Sequence, residues 1–187
     1  MSLSPVKREI LETMLLHDKP ARATQIAKET GKEFRPVMMH LIGLTRVGYA
    51  NSPEKGQYAI TEKGKRALGV PEISRENAGT ILGQASHDRE FHFYAGVGKP
   101  LSLYAHNLQD FGEKILKVNV DSIEFHMSRG DFEAWFAGLG DAELAKKVAL
   151  LKEKKMTGEE LRRKLQEIVE NRCMALAKMV EHAVPSE

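Results

Sequence analysis

Glu124, His126, Arg129 and Asp131 fall within one short stretch and bring two carboxylates, an imidazole and a guanidinium together in sequence. Glu124 and His126 are two residues apart, which on a helix turns them about 200° from each other and argues against a shared metal site. His126 and Asp131 across a turn have two readings. They could ligate a metal or form a hydrogen-bonded pair. Alternatively, Asp131 caps the next helix and Arg129 pairs with an acidic residue. The second is preferred, because buried polar networks are commonly structural. His92, His106 and His126 could converge, but their spacing matches no established zinc pattern. No Gly-rich phosphate loop, Gly-x-Ser-x-Gly or His-Glu-x-x-His motif occurs. Cys173, the single cysteine, falls mid-helix with no sign of activation. Phe132, Trp135 and Phe136 read as core rather than a ligand box. No enzyme, catalytic residue, metal or cofactor is expected.

A second set of candidates lies near the N-terminus. A helix begins at Phe34-Arg35-Pro36, carries Val37, Leu41, Leu44 and Val47 on one face, and ends at Gly48. Arg35, Met38, Met39, Ile42 and Arg46 then face outward, with His40 partly exposed. Arg35 and Arg46 can bind phosphate or a guanine edge, and His40 a phosphate. Lys32 in the preceding turn and Lys55 in the turn at 52–56 can also bind phosphate. Apolar Met38, Met39 and Ile42 can touch a thymine methyl, but together they suit packing on protein better than reading bases.

These side chains need elements to position them. Ser4-Pro5 opens a first helix with Val6, Ile10, Leu11, Met14 and Leu15 on its apolar face. A second begins at Ala23 or Thr24 and stops at Thr30-Gly31. After the third helix the period changes to strands at 49–51 and 57–60, and Thr61 caps a further helix over 62–68. Residues 71–90 fit either a linker or a short helix around 78–84. Phe91-His92-Phe93-Tyr94 has strand character, and 101–118 reads as mainly helical, with a break near Asn107 left open. Asp121, Asp131 and Asp141 each stand where a helix cap belongs. Thr157-Gly158-Glu159-Glu160 is a capping-box sequence. It starts a long helix with Leu161, Leu165, Ile168, Val169, Leu176 and Val180 on one stripe.

The chain has 187 residues, 42% hydrophobic and 29% charged, which fits a globular core and excludes a fibrous or wholly disordered chain. No apolar run nears the roughly 20 residues of a membrane span. No secretory h-region is visible, and one cysteine cannot form an internal disulfide, so a reducing cytoplasm is the expected location. The net charge of +2 is unevenly divided. Residues 1–70 hold twelve basic against seven acidic residues, net +5, and the remainder is net −3. That asymmetry suggests two units with different partners.

Helix, helix, helix, strand, turn, strand over residues 4–68 resembles a winged helix-turn-helix. Val37-x-x-x-Leu41-x-x-Leu44-x-x-x-Gly48-Tyr49 resembles the recognition helix and following strand of bacterial and archaeal winged-helix regulators. Tyr58-Ala59-Ile60-Thr61-Glu62-Lys63-Gly64 resembles the second wing strand and the helix start after it. Residues from about 91 to 155 resemble a small uncharacterised domain of archaeal and bacterial proteins. That resemblance rests on Phe91-His92-Phe93-Tyr94, Gly98-Lys99-Pro100, Ala105-x-Asn107-Leu108-x-x-Phe111, Ser122-Ile123-Glu124-Phe125-His126, Arg129-x-Asp131-Phe132-x-x-Trp135 and Gly140-Asp141-x-x-Leu144-Ala145.

The expected architecture is therefore mainly α with a small β-hairpin wing. It comprises an N-terminal winged helix (1–70), a linker or short helix (71–90) and a helical domain (91–187). The resemblance implies an archaeal-type transcriptional regulator that binds double-stranded DNA as a homodimer. Its C-terminal domain would dimerise, or sense a small-molecule or protein effector. The competing expectation is an interaction module in which the winged helix packs on protein through Met38, Met39 and Ile42 and does not read DNA.

Overall fold

Ser4 accepts a hydrogen bond from the Lys7 N–H and Pro5 takes the first helical position, so α1 (Pro5–Leu15) starts where both residues favour it. The computed structural model describes residues 3–181. The chain divides into two compact units, residues 1–72 and 73–187. It is mainly helical with two small antiparallel sheets, and among the described residues no helix is long and apolar enough to cross a membrane.

In the first unit, α1 is followed by β1 (Ala21–Arg22), α2 (Ala23–Thr30), α3 (Phe34–Arg46), β2 (Ala50–Asn51), β3 (Gln57–Ile60) and α4 (Glu62–Ala67). The three strands form one sheet in the order β1-β3-β2. Ala21 pairs with Tyr58, and Ala50 with Ile60. Ile10, Leu11, Met14, Ile26, Val37, Leu41 and Leu44 are buried and tie α1, α2 and α3 into one core. Val47, expected on the buried face of α3, is exposed, because the helix ends at Arg46 and Val47 is already its C-cap.

The join between β3 and α4 is tight. Thr61 accepts a hydrogen bond from the Gly64 N–H and donates to the Gly48 carbonyl. A Cβ on Gly64 would stand 2.2 Å from the Tyr49 carbonyl oxygen and 2.8 Å from Ile60 Cγ1, so glycine is required there.

The second unit begins with α5 (Arg75–Leu82) and a 3-10 turn (His87–Arg89). The segment expected to be a linker or short helix is thus largely structured, with Ala78 and Ile81 buried. β4 (Phe91–Tyr94) pairs antiparallel with β5 (Pro100–Ala105). Residues 101–105, expected to be helical, are strand. Their alternation of Leu, Ser, Leu, Tyr and Ala also suits a pleat, and β4 supplies the backbone partner that a helix would not have needed. Three residues of β5 lie opposite Phe93, and Ser102 takes φ +48° in that bulge.

Four further helices follow β5, then a long last one: α6 (Leu108–Ile115), α7 (Val120–Arg129), α8 (Asp131–Gly138), α9 (Ala142–Glu153) and α10 (Gly158–Glu181). Asn107 caps α6 and Asp141 caps α9. The cap of α7 is Asn119, not Asp121, whose N–H it receives. α10 buries Leu161, Leu165, Ile168, Val169 and Leu176, while Val180 is half-buried. Phe91, Phe93, Phe111, Phe132 and Phe136 make the aromatic centre, with ring centroids 4.9–5.8 Å apart in T-shaped, tilted and stacked pairs. Trp135 joins its edge and donates from the indole N–H to the Arg89 carbonyl at 2.8 Å.

Candidate functional site

Ser122, His126 and Arg129 are spaced four and three residues apart, so α7 presents all three toward one side. The Ser122 hydroxyl donates to the Tyr94 carbonyl at 2.7 Å, and the Tyr94 N–H donates to His126 Nε2 at 2.9 Å. Both backbone polar groups of Tyr94 are therefore satisfied by α7 side chains one turn apart. A backbone N–H can only donate, so Nε2 must be the unprotonated nitrogen. The His126 proton then sits on Nδ1 and is donated to Asp131 Oδ2 at 2.7 Å.

Asp131 reaches this position because Gly130 reverses the chain between α7 and α8 with φ +78°. Gly130 is the N-cap of α8 and gives no side-chain cap. Asp131 does not fill that role as expected. It turns its carboxylate to His126 and to Arg129 Nε at 3.1 Å. The expected acidic partner of Arg129 is thus Asp131 itself. The guanidinium also lies over the Phe125 ring, 5.2 Å from its centroid.

His126 is only 3% exposed. Burial pushes its pKa below the ordinary 6.5, the neighbouring Arg129 acts in the same direction, and the Asp131 bond opposes them. With one nitrogen occupied by a backbone donor and the other donating to a carboxylate, His126 offers no lone pair to a metal or a substrate. It is a tie between β4, α7 and α8.

Glu124 does not join this group. It accepts a hydrogen bond from the Gly158 N–H at 2.6 Å and so receives the start of α10. This agrees with the opposite facing of Glu124 and His126 on the helix. The three histidines do not converge either. His92 stacks edge-on against Tyr104, and His106 Nδ1 lies 2.8 Å from Glu90. Burial pushes the Glu90 carboxyl up, but hydrogen bonds from His106 and His87 outweigh it and hold the group below its usual range. Among the described residues, no group of three or more His, Cys, Asp or Glu side chains could hold a metal ion.

Above the His126–Asp131–Arg129 chain lies an open cleft of about 310 Å³, lined by His92, Tyr94, Val97, Phe125, Arg129 and the turn at 96–98. The Lys99 N–H closes that turn on the Gly96 carbonyl at 3.1 Å.

In the first unit, the expected outward stripe of α3 is narrower than its sequence suggests. Arg35, Met39, Ile42 and Arg46 are exposed and His40 is half-exposed. Met38 instead faces inward, half-buried, where its sulfur meets the Tyr58 hydroxyl at 3.6 Å. Lys55 is exposed in the turn between β2 and β3. Lys32 is held by Glu9 at 2.7 Å, which leaves it less free to meet a phosphate.

One group is absent from the sequence expectations. Arg172 is buried on α10 and grips Asp141 with two bonds, Nε to Oδ2 at 2.7 Å and Nη2 to Oδ1 at 3.0 Å. Its Nη1 donates to Glu143 at 3.0 Å, and Lys147 stands 3.4 Å from the same carboxylate. A signal existed in the sequence. Arg172 continues the apolar stripe at 161, 165, 168, 169 and 176, and an arginine in a core register needs a buried acid. Cys173 beside it is inert, because burial, with Asp141 adding, pushes its thiol up to about 11.

Residues 72–170 match the model of a family of unknown function, DUF5752. No curated protein and no solved structure matches the chain.

Proposed function

The chain belongs to the DUF5752 family of unknown function, and we propose that it is a DNA-binding transcriptional regulator whose first unit is a winged helix-turn-helix. The observation that carries this reading is the joint order of elements and strands. Three helices interleaved with a sheet ordered β1-β3-β2 leave one face of α3 uncovered in that unit's own core. That face runs Arg35, Met39, Ile42, Arg46, at helical spacings of four, three and four. The two arginines are eleven residues apart, which sets their Cα atoms roughly 16 Å apart along the axis. This matches cations gripping phosphates on either side of a major groove about 12 Å wide. Met39 and Ile42 between them would touch thymine methyls. Lys55 in the hairpin turn would reach the backbone, as a wing does.

The second unit dimerises the chain or receives an effector, and exposed Leu116 and Met174 favour an association surface there. A cytoplasmic location suits a chain with one cysteine.

The test is binding of the full chain to mixed-sequence duplex at low salt. Arg35→Ala with Arg46→Ala is expected to weaken it about tenfold or more. Absence of binding to any duplex at low salt would defeat the reading.

One observation favours a second reading, an interaction module that does not read DNA. Phe34, Met39, Ile42 and Val47 on and beside α3 are 46%, 69%, 40% and 47% exposed, which is apolar for a base reader. On that reading, Met39→Glu with Ile42→Glu changes the oligomeric state or abolishes a protein contact, while the two arginines are dispensable.

A further inference from the structure

We propose that the cleft over Arg129 binds a small, singly charged carboxylate ligand carrying a flat apolar group. The guanidinium is held on two sides. Arg129 Nε is committed to Asp131 at 3.1 Å, and the plane lies over Phe125. Those two contacts fix the orientation of the fork, and among the described residues its far edge, Nη1 and Nη2, meets no protein partner. Two parallel N–H groups on a fixed plane match the two oxygens of one carboxylate. The side chain is 53% exposed, so this edge is accessible from solvent through the open side of the cleft.

The support beneath it is rigid. Asp131 is fixed by the Nδ1 proton of His126, and His126 is fixed by the Tyr94 N–H. A ligand bound at Arg129 meets a preset guanidinium and loses little to ordering. The walls decide the rest. Tyr94, Val97 and Phe125 are apolar or aromatic and His92 adds one polar ring, while about 310 Å³ is at the small end for ligand sites. This admits a ring-sized body and little more.

Charge selects carboxylate over phosphate. Asp131 already cancels Arg129, so the cleft offers one good fork of donors but little net positive charge. A dianionic phosphate would bring a second charge beside Asp131, and among the described residues the lining holds no Lys and no second Arg to balance it. The proposal gives a chemistry to the effector named in the functional reading, and its test reads the cleft alone, so either can fail without the other.

The experiment titrates the ¹⁵N-labelled full chain with benzoate, phenyl phosphate and benzyl alcohol, each to about 10 mM, a range suited to so small a ligand. Saturable benzoate shifts are expected at Tyr94, the 96–98 turn and the Arg129 guanidinium. Phenyl phosphate should bind more weakly and benzyl alcohol without saturation. Arg129→Lys keeps the charge but loses the fork, and should weaken benzoate at least about tenfold. Phe125→Leu removes the platform and should also weaken it, which gives a second reading if the first variant is poorly folded. The proposal is overturned by an absence of saturable benzoate shifts, by equal binding of benzyl alcohol, by tighter binding of phenyl phosphate, or by full affinity in well-folded Arg129→Lys.

Discussion

Lowering the pH from 7.5 to 5.5 should weaken the second unit through His126 in particular. In the folded chain His126 must stay neutral, because Nε2 receives the Tyr94 N–H and a proton there would set two donors face to face. Burial is the first cause of its lowered pKa, and Asp131 only partly offsets it. Unfolded, the ring takes a proton near the ordinary 6.5. Below that pH the unfolded chain binds a proton that the folded chain refuses, so stability falls as pH falls. The slope approaches 1.36 kcal/mol per pH unit for one proton, so by pH 5.5 the loss reaches up to about 1.4 kcal/mol. His126→Gln isolates this contribution. The glutamine oxygen can still accept from Tyr94 N–H, but it does not titrate and it drops the bond to Asp131. At pH 7.5 the variant should be about 2 kcal/mol less stable, the cost of a charge-assisted hydrogen bond. Urea unfolding of both proteins across the pH range gives the gap between them. Every other residue is the same in both proteins, so the difference isolates position 126. The gap should narrow toward acid pH. A constant or widening gap would show that Asp131 outweighs burial and that the neutral-histidine assignment is wrong.

Two other perturbations probe the rest of the fold. Arg172→Met leaves Asp141 and Glu143 buried without their main partner and should cost about 3–5 kcal/mol, read as a fall in the urea midpoint. A change under about 1 kcal/mol would mean the network is hydrated rather than buried. Gly64→Ala drives a Cβ onto the Tyr49 carbonyl oxygen, so the cost should be about 3 kcal/mol or more, the top of the usual overpacking range. Hydrogen exchange should quicken within residues 1–72 and stay unchanged in the aromatic core of the second unit. Uniform quickening would contradict separate cores.

Much of this architecture is legible in the chain because its local signals agree with one another. Ser4-Pro5, Thr61 and Asp141 sit at the helix starts that they predict, and α3 buries Val37, Leu41 and Leu44 at helical spacing. Residues 101–105 misled, because Leu101, Tyr104, Ala105 and Leu108 also satisfy a helical period. Only the partner strand β4 decides between the two, and pairing is not written locally. Met38 misled for a similar reason. Its place on a helical wheel looks outward until Tyr58, twenty residues on, covers it. In the polar cluster, the spacing of Glu124 and His126 correctly separates them. The binding of both backbone groups of Tyr94 by Ser122 and His126 needs the three-dimensional approach of β4 to α7.

Salt dependence tests the central proposal, the α3 face as a DNA-binding surface, most directly. Each phosphate contact contributes a slope of about −0.9 to log affinity against log salt on duplex DNA. Arg35, Arg46 and Lys55 together should therefore give about −2.7 for one chain, falling to about −0.9 in the Arg35→Ala, Arg46→Ala variant. Fluorescence anisotropy of the full chain on a mixed-sequence duplex measures both. A slope unchanged by removing both arginines, or no binding at low salt, would contradict the account.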